Sequence, residues 1–242
     1  MLDEIRTAAF LCEAIYDYPE TPAWTWDYVS SGDVYWAVKK IIDTSYVCFR
    51  GSTTLADWLR DLNAFANPIS TDKLGPVHPG FFNGVPEAWE EIKTKITTNN
   101  FILTGHSLGS GEVDICAALA VLDGLPPRAK IGFGAPKAGF KQLGQLVKDV
   151  PDYCFRNTDG VNWDLITSVP FSFFPEEYKH TAPLLNVHCE PVEGDTWGPF
   201  AWHRMQYYRQ AVASLTDESL SYHEKTSSLR RRAYFGPAKE FN

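Results

Sequence analysis

An α/β fold, with a mostly parallel central sheet covered by helices on both faces, is what this sequence predicts. Two observations carry the prediction. Short β-capable apolar runs alternate with amphipathic helical stretches along most of the 242 residues, the order that a parallel sheet with crossover helices requires. At the centre of the series, residues 100–120 read NFILTGHSLGSGEVDICAALA. This is a buried-strand run, a Gly-x-Ser-x-Gly turn over residues 105–109, and a long Ala-rich helix. A serine at the apex of such an elbow sits in strained backbone with its hydroxyl projecting, and the flanking glycines let strand and helix approach. The helix behind it aims N–H groups and a positive dipole end at any anion formed above Ser107.

Taken in order, residues 4–16 place Ile5, Ala8, Ala9, Leu11, Cys12 and Ile15 on one helical stripe, an amphipathic opening helix. Residues 18–31, rich in Pro, Trp and Tyr, read as loop. Residues 34–38 and 45–49 look like paired strands joined through Asp43-Thr44 turn chemistry. Arg50-Gly51-Ser52-Thr53 ends the second strand, and Leu55, Trp58, Leu59 and Leu62 then recur at helical spacing. Residues 63–79 carry Pro and Gly and read as an extended loop, and 89–96 as a helix with Pro86 near its first turn. After the elbow, 131–134 is a strand, 140–150 an amphipathic helix and 153–156 a strand. A polar loop over 157–170, a late strand at 184–189 and a helix over 204–215 complete the pattern. With the elbow at the centre, the arrangement is of α/β-hydrolase type.

A chain of this length buries one substantial core, so a single domain over 1–242 is expected, with the aperiodic stretch 216–242 as a loosely packed tail. The formal net charge of −8 argues against nucleic acid as a partner, and Arg230-Arg231-Arg232 reads as a solvated run. No run is long and apolar enough for a transmembrane helix. The start MLDEIRTAAF has acids where a secretory signal carries bases, so a soluble cytoplasmic chain is expected; a mature secreted chain with a new initiator Met fits the same sequence. The five cysteines, Cys12, Cys48, Cys116, Cys154 and Cys189, are scattered among apolar residues, as reduced core thiols are, and form neither a disulfide framework nor a metal site. No cofactor is expected.

A serine hydroxyl becomes a nucleophile when a histidine, oriented by a carboxylate, takes its proton. In the hydrolase plan the order is Ser, then acid, then His, which confines the search to residues after 107. Of His180, His188, His203 and His223, His188 lies in an apolar run, His180 follows Glu176-Glu177, and His223 sits in the polar tail. His203 lies between a Gly-Pro-aromatic loop and a helix, where a mobile base belongs. For the acid, Asp159 and Asp164 share one loop, and position does not choose between them.

Several ordered blocks carry a family resemblance: Phe49-Arg50-Gly51-Ser52, Asp57-Trp58-Leu59-Arg60-Asp61-Leu62, Val77-His78-Pro79-Gly80-Phe81, Gly105-His106-Ser107-Leu108-Gly109 and Gly132-Phe133-Gly134-Ala135-Pro136-Lys137. The chain resembles the fungal-type, class 3 triacylglycerol lipases. The resemblance implies Ser107 as nucleophile, with Ser52 and the Leu108 backbone N–H as oxyanion donors. It implies Asp164 as acid, because 164–170 follow the family's Asp-x-Val-x-x-Leu-Pro pattern in residue type, leaving Asp159 as the alternative, and it implies His203 as base. It further implies a lid helix bearing Leu55, Trp58, Leu59 and Leu62, a lipid or other small ester as substrate, and transient contact with a lipid interface. Ser110-Gly111 departs from the family's glycine-alanine. Three competing roles are a short-chain or feruloyl-type esterase, a phospholipase A1, and a non-catalytic binding module on the same fold.

Overall fold

The molecule is described from a computed structural model, which covers residues 1–20, 25–53, 67–96, 99–170 and 178–222. The chain opens with α1 (Leu2–Ala14), followed by β1 (Tyr28–Val29), β2 (Trp36–Ile41), β3 (Thr44–Phe49), β4 (Ile69–Thr71) and β5 (Gly75–Val77). Then come α2 (Pro79–Phe82), α3 (Val85–Lys95), β6 (Phe101–His106), α4 (Leu108–Leu122), β7 (Ala129–Phe133) and α5 (Lys141–Leu146). The remaining elements are β8 (Asp152–Asn157), β9 (Leu185–Val187) and α6 (Met205–Ala213). Seven strands form the main sheet in the order β1-β2-β3-β6-β7-β8-β9. The first two pairings are antiparallel, and every pairing from β3 to β9 is parallel.

Alternation along the central strands sorts the core into two layers. Val47, Phe49, Phe101 and Leu103 face α2, α3, α4 and α5, whereas Tyr46, Cys48, Ile102 and Phe133 face α1 and α6. A parallel sheet buried on both faces needs apolar residues at successive positions, which is why β6 reads as a continuous run. Lys130 breaks the apolar rule. It is buried in β7 and pairs with Asp114 of α4 and with Asp152 at 2.9 Å, while Thr181 accepts a third bond at 2.8 Å.

Several boundaries differ from the sequence expectation. The β2–β3 connection turns at Ile42-Asp43, with Thr44 already in β3, and Ile42 takes the left-handed conformation (φ 54°) while 86% exposed. The loop at 18–31 contains β1, recruited by pairing with β2. The stretch 63–79 contains the β4–β5 hairpin. The helix expected over 140–150 is only the six residues of α5. Its apolar stripe still buries Leu143, Val147 and Val150, but Val147 ends the helix and Pro151 follows. The tail begins packed, since Leu220 is buried with the α1 and α6 layer. The expected helix carrying Leu55, Trp58, Leu59 and Leu62 lies outside the described residues, as do His223, Glu176, Glu177 and Arg230-Arg231-Arg232. All five cysteines are free, four of them buried. Among the described residues, no helix is long and apolar enough to cross a membrane.

Ser110 and Gly111, where the resemblance breaks, are accommodated together. A Cβ at Gly111 would meet the buried Phe81 ring at 2.6 Å, and the Ser110 hydroxyl fills the space where a Cβ on Gly132 would come within 2.3 Å. One residue further along α4, Glu112 is buried and its Oε2 has no hydrogen-bond partner among the described residues. Burial holds this carboxyl protonated well above the usual range. The folded chain therefore keeps a proton that the unfolded chain releases near pH 4.3, the ordinary Glu value. Stability is lost as pH rises from there towards the folded pKa. Glu112→Gln removes that penalty, so its urea midpoint, equal or close to wild type at pH 5, should exceed wild type increasingly by pH 8. A pH-independent difference contradicts this account.

Candidate active site

Ser107 sits between β6 and α4 with φ 60° and ψ −128°. Such a conformation costs on the order of 1–3 kcal/mol for a residue with a Cβ and persists only where the surroundings impose it. Here they do. A Cβ on Gly105 would lie 2.5 Å from the Gly109 carbonyl carbon, and one on Gly109 would lie 2.3 Å from the Phe49 carbonyl oxygen. The strand and helix meet at a distance only glycine permits, and the Ser107 N–H is fixed by donation to the Phe133 carbonyl at 3.0 Å. Leu108 heads α4, where the first backbone N–H groups have no acceptor within the helix. Ser52, three residues beyond the end of β3, lines the same cleft as Ser107.

Asp164 and His203, the candidate acid and base, come from loops beyond β8 and β9. Asp164 caps a 3-10 turn (Leu165–Ser168), its Oδ1 accepting the Ile166 N–H at 2.9 Å. Its Oδ2 accepts from His203 Nδ1 at 2.7 Å and from the Tyr208 hydroxyl at 2.6 Å. Both Asp164 and His203 are buried. Gly134, at φ 59°, leaves the room they occupy, because a Cβ there would come within 2.6 Å of Asp164 Oδ2 and 2.8 Å of His203 Nδ1. Burial alone would raise the Asp164 pKa. The His203 ring, the Tyr208 hydroxyl and the Ile166 N–H outweigh it and hold the carboxyl below the usual carboxylate range. An ionised carboxylate on Nδ1–H leaves the lone pair of His203 on Nε2.

His203 Nε2 and Ser107 Oγ are both buried and without a hydrogen-bond partner among the described residues. Both atoms belong to residues lining one cleft of about 350 Å³, with Ser52, His106, Trp197 and Met205 among its other walls. An acceptor and a hydroxyl donor held unsatisfied beside one cleft are equipped for proton transfer when a substrate arrives. The loop before the base is pinned by Asp195, which accepts from Arg204 at 3.0 Å and from the Tyr207 hydroxyl at 2.7 Å.

The other sequence candidates lie elsewhere. Asp159 spends its oxygens on its own turn, accepting from the Val161 and Asn162 N–H groups at 2.7 and 2.6 Å. His180 bonds the Thr167 carbonyl at 2.8 Å and so braces the turn that Asp164 begins. His188 is exposed, just beyond β9, with Nδ1 3.2 Å from the Thr158 carbonyl. Sequence reasoning did not single out Tyr208 as the second donor to Asp164, although an aromatic residue shortly after the candidate histidine was visible.

The two aspartates make opposite predictions. Asp164→Asn, which removes the charge facing Nδ1, should lower turnover of an ester by about 10³–10⁴-fold. Asp159→Asn should leave it within about twofold, as for a surface residue. Steady-state kinetics of both folded variants decides, and a silent Asp164→Asn would remove Asp164 from the site.

Comparison with known proteins follows the same lines. The family model described as Lipase (class 3) matches residues 46–174. A secreted mono- and diacylglycerol lipase of Fusarium solani is 29% identical over 160 residues, covering 62% of this chain and 45% of that protein. The chain thus spans about half the length of the curated relatives it matches. The fold is shared with the triacylglyceride lipase of Rhizomucor miehei (TM-score 0.60, 22% identity, 77% of this chain and 79% of that one). It is shared also with a mono- and diacylglycerol lipase of Aspergillus oryzae (TM-score 0.57, 19% identity, 81% and 82%). The family match covers more than half of the 242 residues and includes the elbow and Asp164, and the chain therefore belongs to the class 3 lipase family of α/β-hydrolase fold.

Proposed function

We propose that this chain is a serine carboxylic-ester hydrolase of lipase or esterase type, acting on acylglycerols or related esters. The observation that carries the reading is the 2.7 Å contact between Asp164 and His203, whose Nε2 has no partner among the described residues and lies beside the cleft it shares with Ser107. In this reading His203 Nε2 takes the Ser107 proton as Oγ attacks the ester carbonyl. Ser52 and the Leu108 N–H donate to the oxyanion of the tetrahedral intermediate. As that intermediate collapses, the carbonyl re-forms, the bond to the alcohol oxygen breaks, and His203 gives its proton to the leaving alcohol. Water then enters, loses a proton to His203 and attacks the acyl-enzyme. Release of the acid returns the proton to Ser107. Asp164 stays ionised throughout and stabilises the transient imidazolium.

Trp197 and Met205 give part of the cleft wall an apolar character suited to an acyl or lipid group. Five free thiols suit a reducing compartment, so we place the chain inside the cell. Hydrolysis of p-nitrophenyl esters from acetate to laurate, below and above their solubility limits, tests the assignment. Ser107→Ala should lower turnover by about 10⁴-fold or more. A rate that climbs once long-chain ester separates from solution supports a lipase, and a preference for soluble short chains supports an esterase. Retention of substantial activity by Ser107→Ala overturns the reading.

A further inference from the structure

His106, the residue before the elbow serine, is buried and makes contacts that the proposed reaction does not use. Its Nδ1 lies 2.8 Å from the Tyr16 hydroxyl and its Nε2 lies 2.7 Å from the backbone carbonyl of His203. Its ring stacks on the His203 imidazole, with centroids 4.6 Å apart and planes 29° apart. A carbonyl only accepts, so His106 Nε2 carries hydrogen and, in a neutral ring, Nδ1 is the lone pair that receives the Tyr16 proton. The Tyr16 hydroxyl also lies against the Gly51 backbone. The two bonds have one consistent direction, Tyr16 O–H to His106 Nδ1 and His106 Nε2–H to the His203 carbonyl, and Gly51 packs against the Tyr16 end.

The neutrality this needs is built in. Burial first, and the adjacent His203 ring second, push the His106 pKa down to about 3, and burial keeps Tyr16 a phenol. Gly51 completes the fit, since a Cβ there would stand 2.1 Å from the Tyr16 hydroxyl oxygen.

We infer that Tyr16 and His106 form a positioning relay that holds the end of β3, which leads to Ser52, in register with the backbone of His203. The inference rests on the ester-hydrolase reading above and adds two residues that act through others: Tyr16 through His106 and Gly51, His106 through His203. The four segments so joined are far apart in sequence, and a displacement of a fraction of an ångström between an oxyanion donor and a base is enough to slow reaction. The relay also places a neutral ring, not a cationic one, against the base that must become positive in the transition state.

The test is the kinetics of Tyr16→Phe, His106→Phe, the double variant and His106→Gln on p-nitrophenyl butyrate, with Ser107→Ala as the blank and thermal unfolding as the check on folding. Loss of a buried hydrogen bond at this point should lower kcat about tenfold in Tyr16→Phe, with KM within about twofold. In the His106→Phe background the same substitution should cost less than about threefold, because most of its effect passes through the imidazole. His106→Gln, which keeps an N–H able to reach the His203 carbonyl, should recover most of the kcat lost in His106→Phe. Should His106→Phe fail to fold, Tyr16→Phe and His106→Gln still carry the test. Folded Tyr16→Phe with wild-type kcat overturns the relay while leaving the hydrolase reading intact, and so does a double variant slowed by the full product of the two single effects. A wild type no faster than Ser107→Ala overturns both.

Discussion

The close approach of α4 to the ends of β3 and β6 is the constraint on which the rest of the site depends. With no side chain at Gly105 or Gly109, the first turn of the helix lies against the Phe49 carbonyl and against its own strand. Three consequences follow from that one distance. Ser107 is forced into a backbone conformation it would not choose, which is how its hydroxyl is held at the cleft. The start of the helix is brought against the backbone that leads from β3 to Ser52. The end of β6 places His106 under the base. A methyl group at either glycine would disturb all three together, so the glycine spacing belongs to the geometry of the reaction as much as to that of the turn.

Charge is placed with similar economy. A buried carboxylate is costly to desolvate and stays ionised only where donors satisfy it. The buried Asp164–His203 pair is better understood as preorganisation. Three donors satisfy the carboxylate before any substrate arrives, so no solvent or side chain has to reorganise when the imidazole becomes positive. The second histidine at the site is partnered differently. His106 is kept neutral by burial and spends both nitrogens on fixed partners, while His203 keeps one nitrogen unspent. Two stacked imidazoles therefore differ in role because their hydrogen-bond partners differ.

Much of the fold was legible because its signals are local. The strand-turn-helix of the elbow combines an apolar run, two glycines and an Ala-rich helix within about twenty residues, and no distant contact is needed to interpret it. The candidate base stood out for a similar reason, as a histidine placed between the last loop and the last helix. The acid was harder. Asp159 and Asp164 share one loop and one residue type, and the family pattern favoured Asp164. The physical distinction is that Asp159 satisfies itself on its own turn, while Asp164 caps a 3-10 turn with one oxygen and keeps the other for His203. What was not legible depends on partners remote in the chain. Tyr16 meets His106 across ninety positions, and Lys130 is buried only because Asp114 and Asp152 arrive from two other elements. The β4–β5 hairpin was missed because Pro and Gly mark a turn without saying whether its flanks will pair, and α5 was expected but proved shorter than its apolar stripe.

In the proposed reaction Ser107 is an activated nucleophile whose base is His203. Active-site labelling with an alkyl fluorophosphonate, followed by peptide mass spectrometry, tests it most directly, because the reagent reports nucleophile and base without a choice of substrate. The account predicts one adduct, on Ser107, formed rapidly by the wild type and slowed by orders of magnitude in a folded His203→Ala variant. No adduct, an adduct on another residue, or labelling of His203→Ala at the wild-type rate would contradict it.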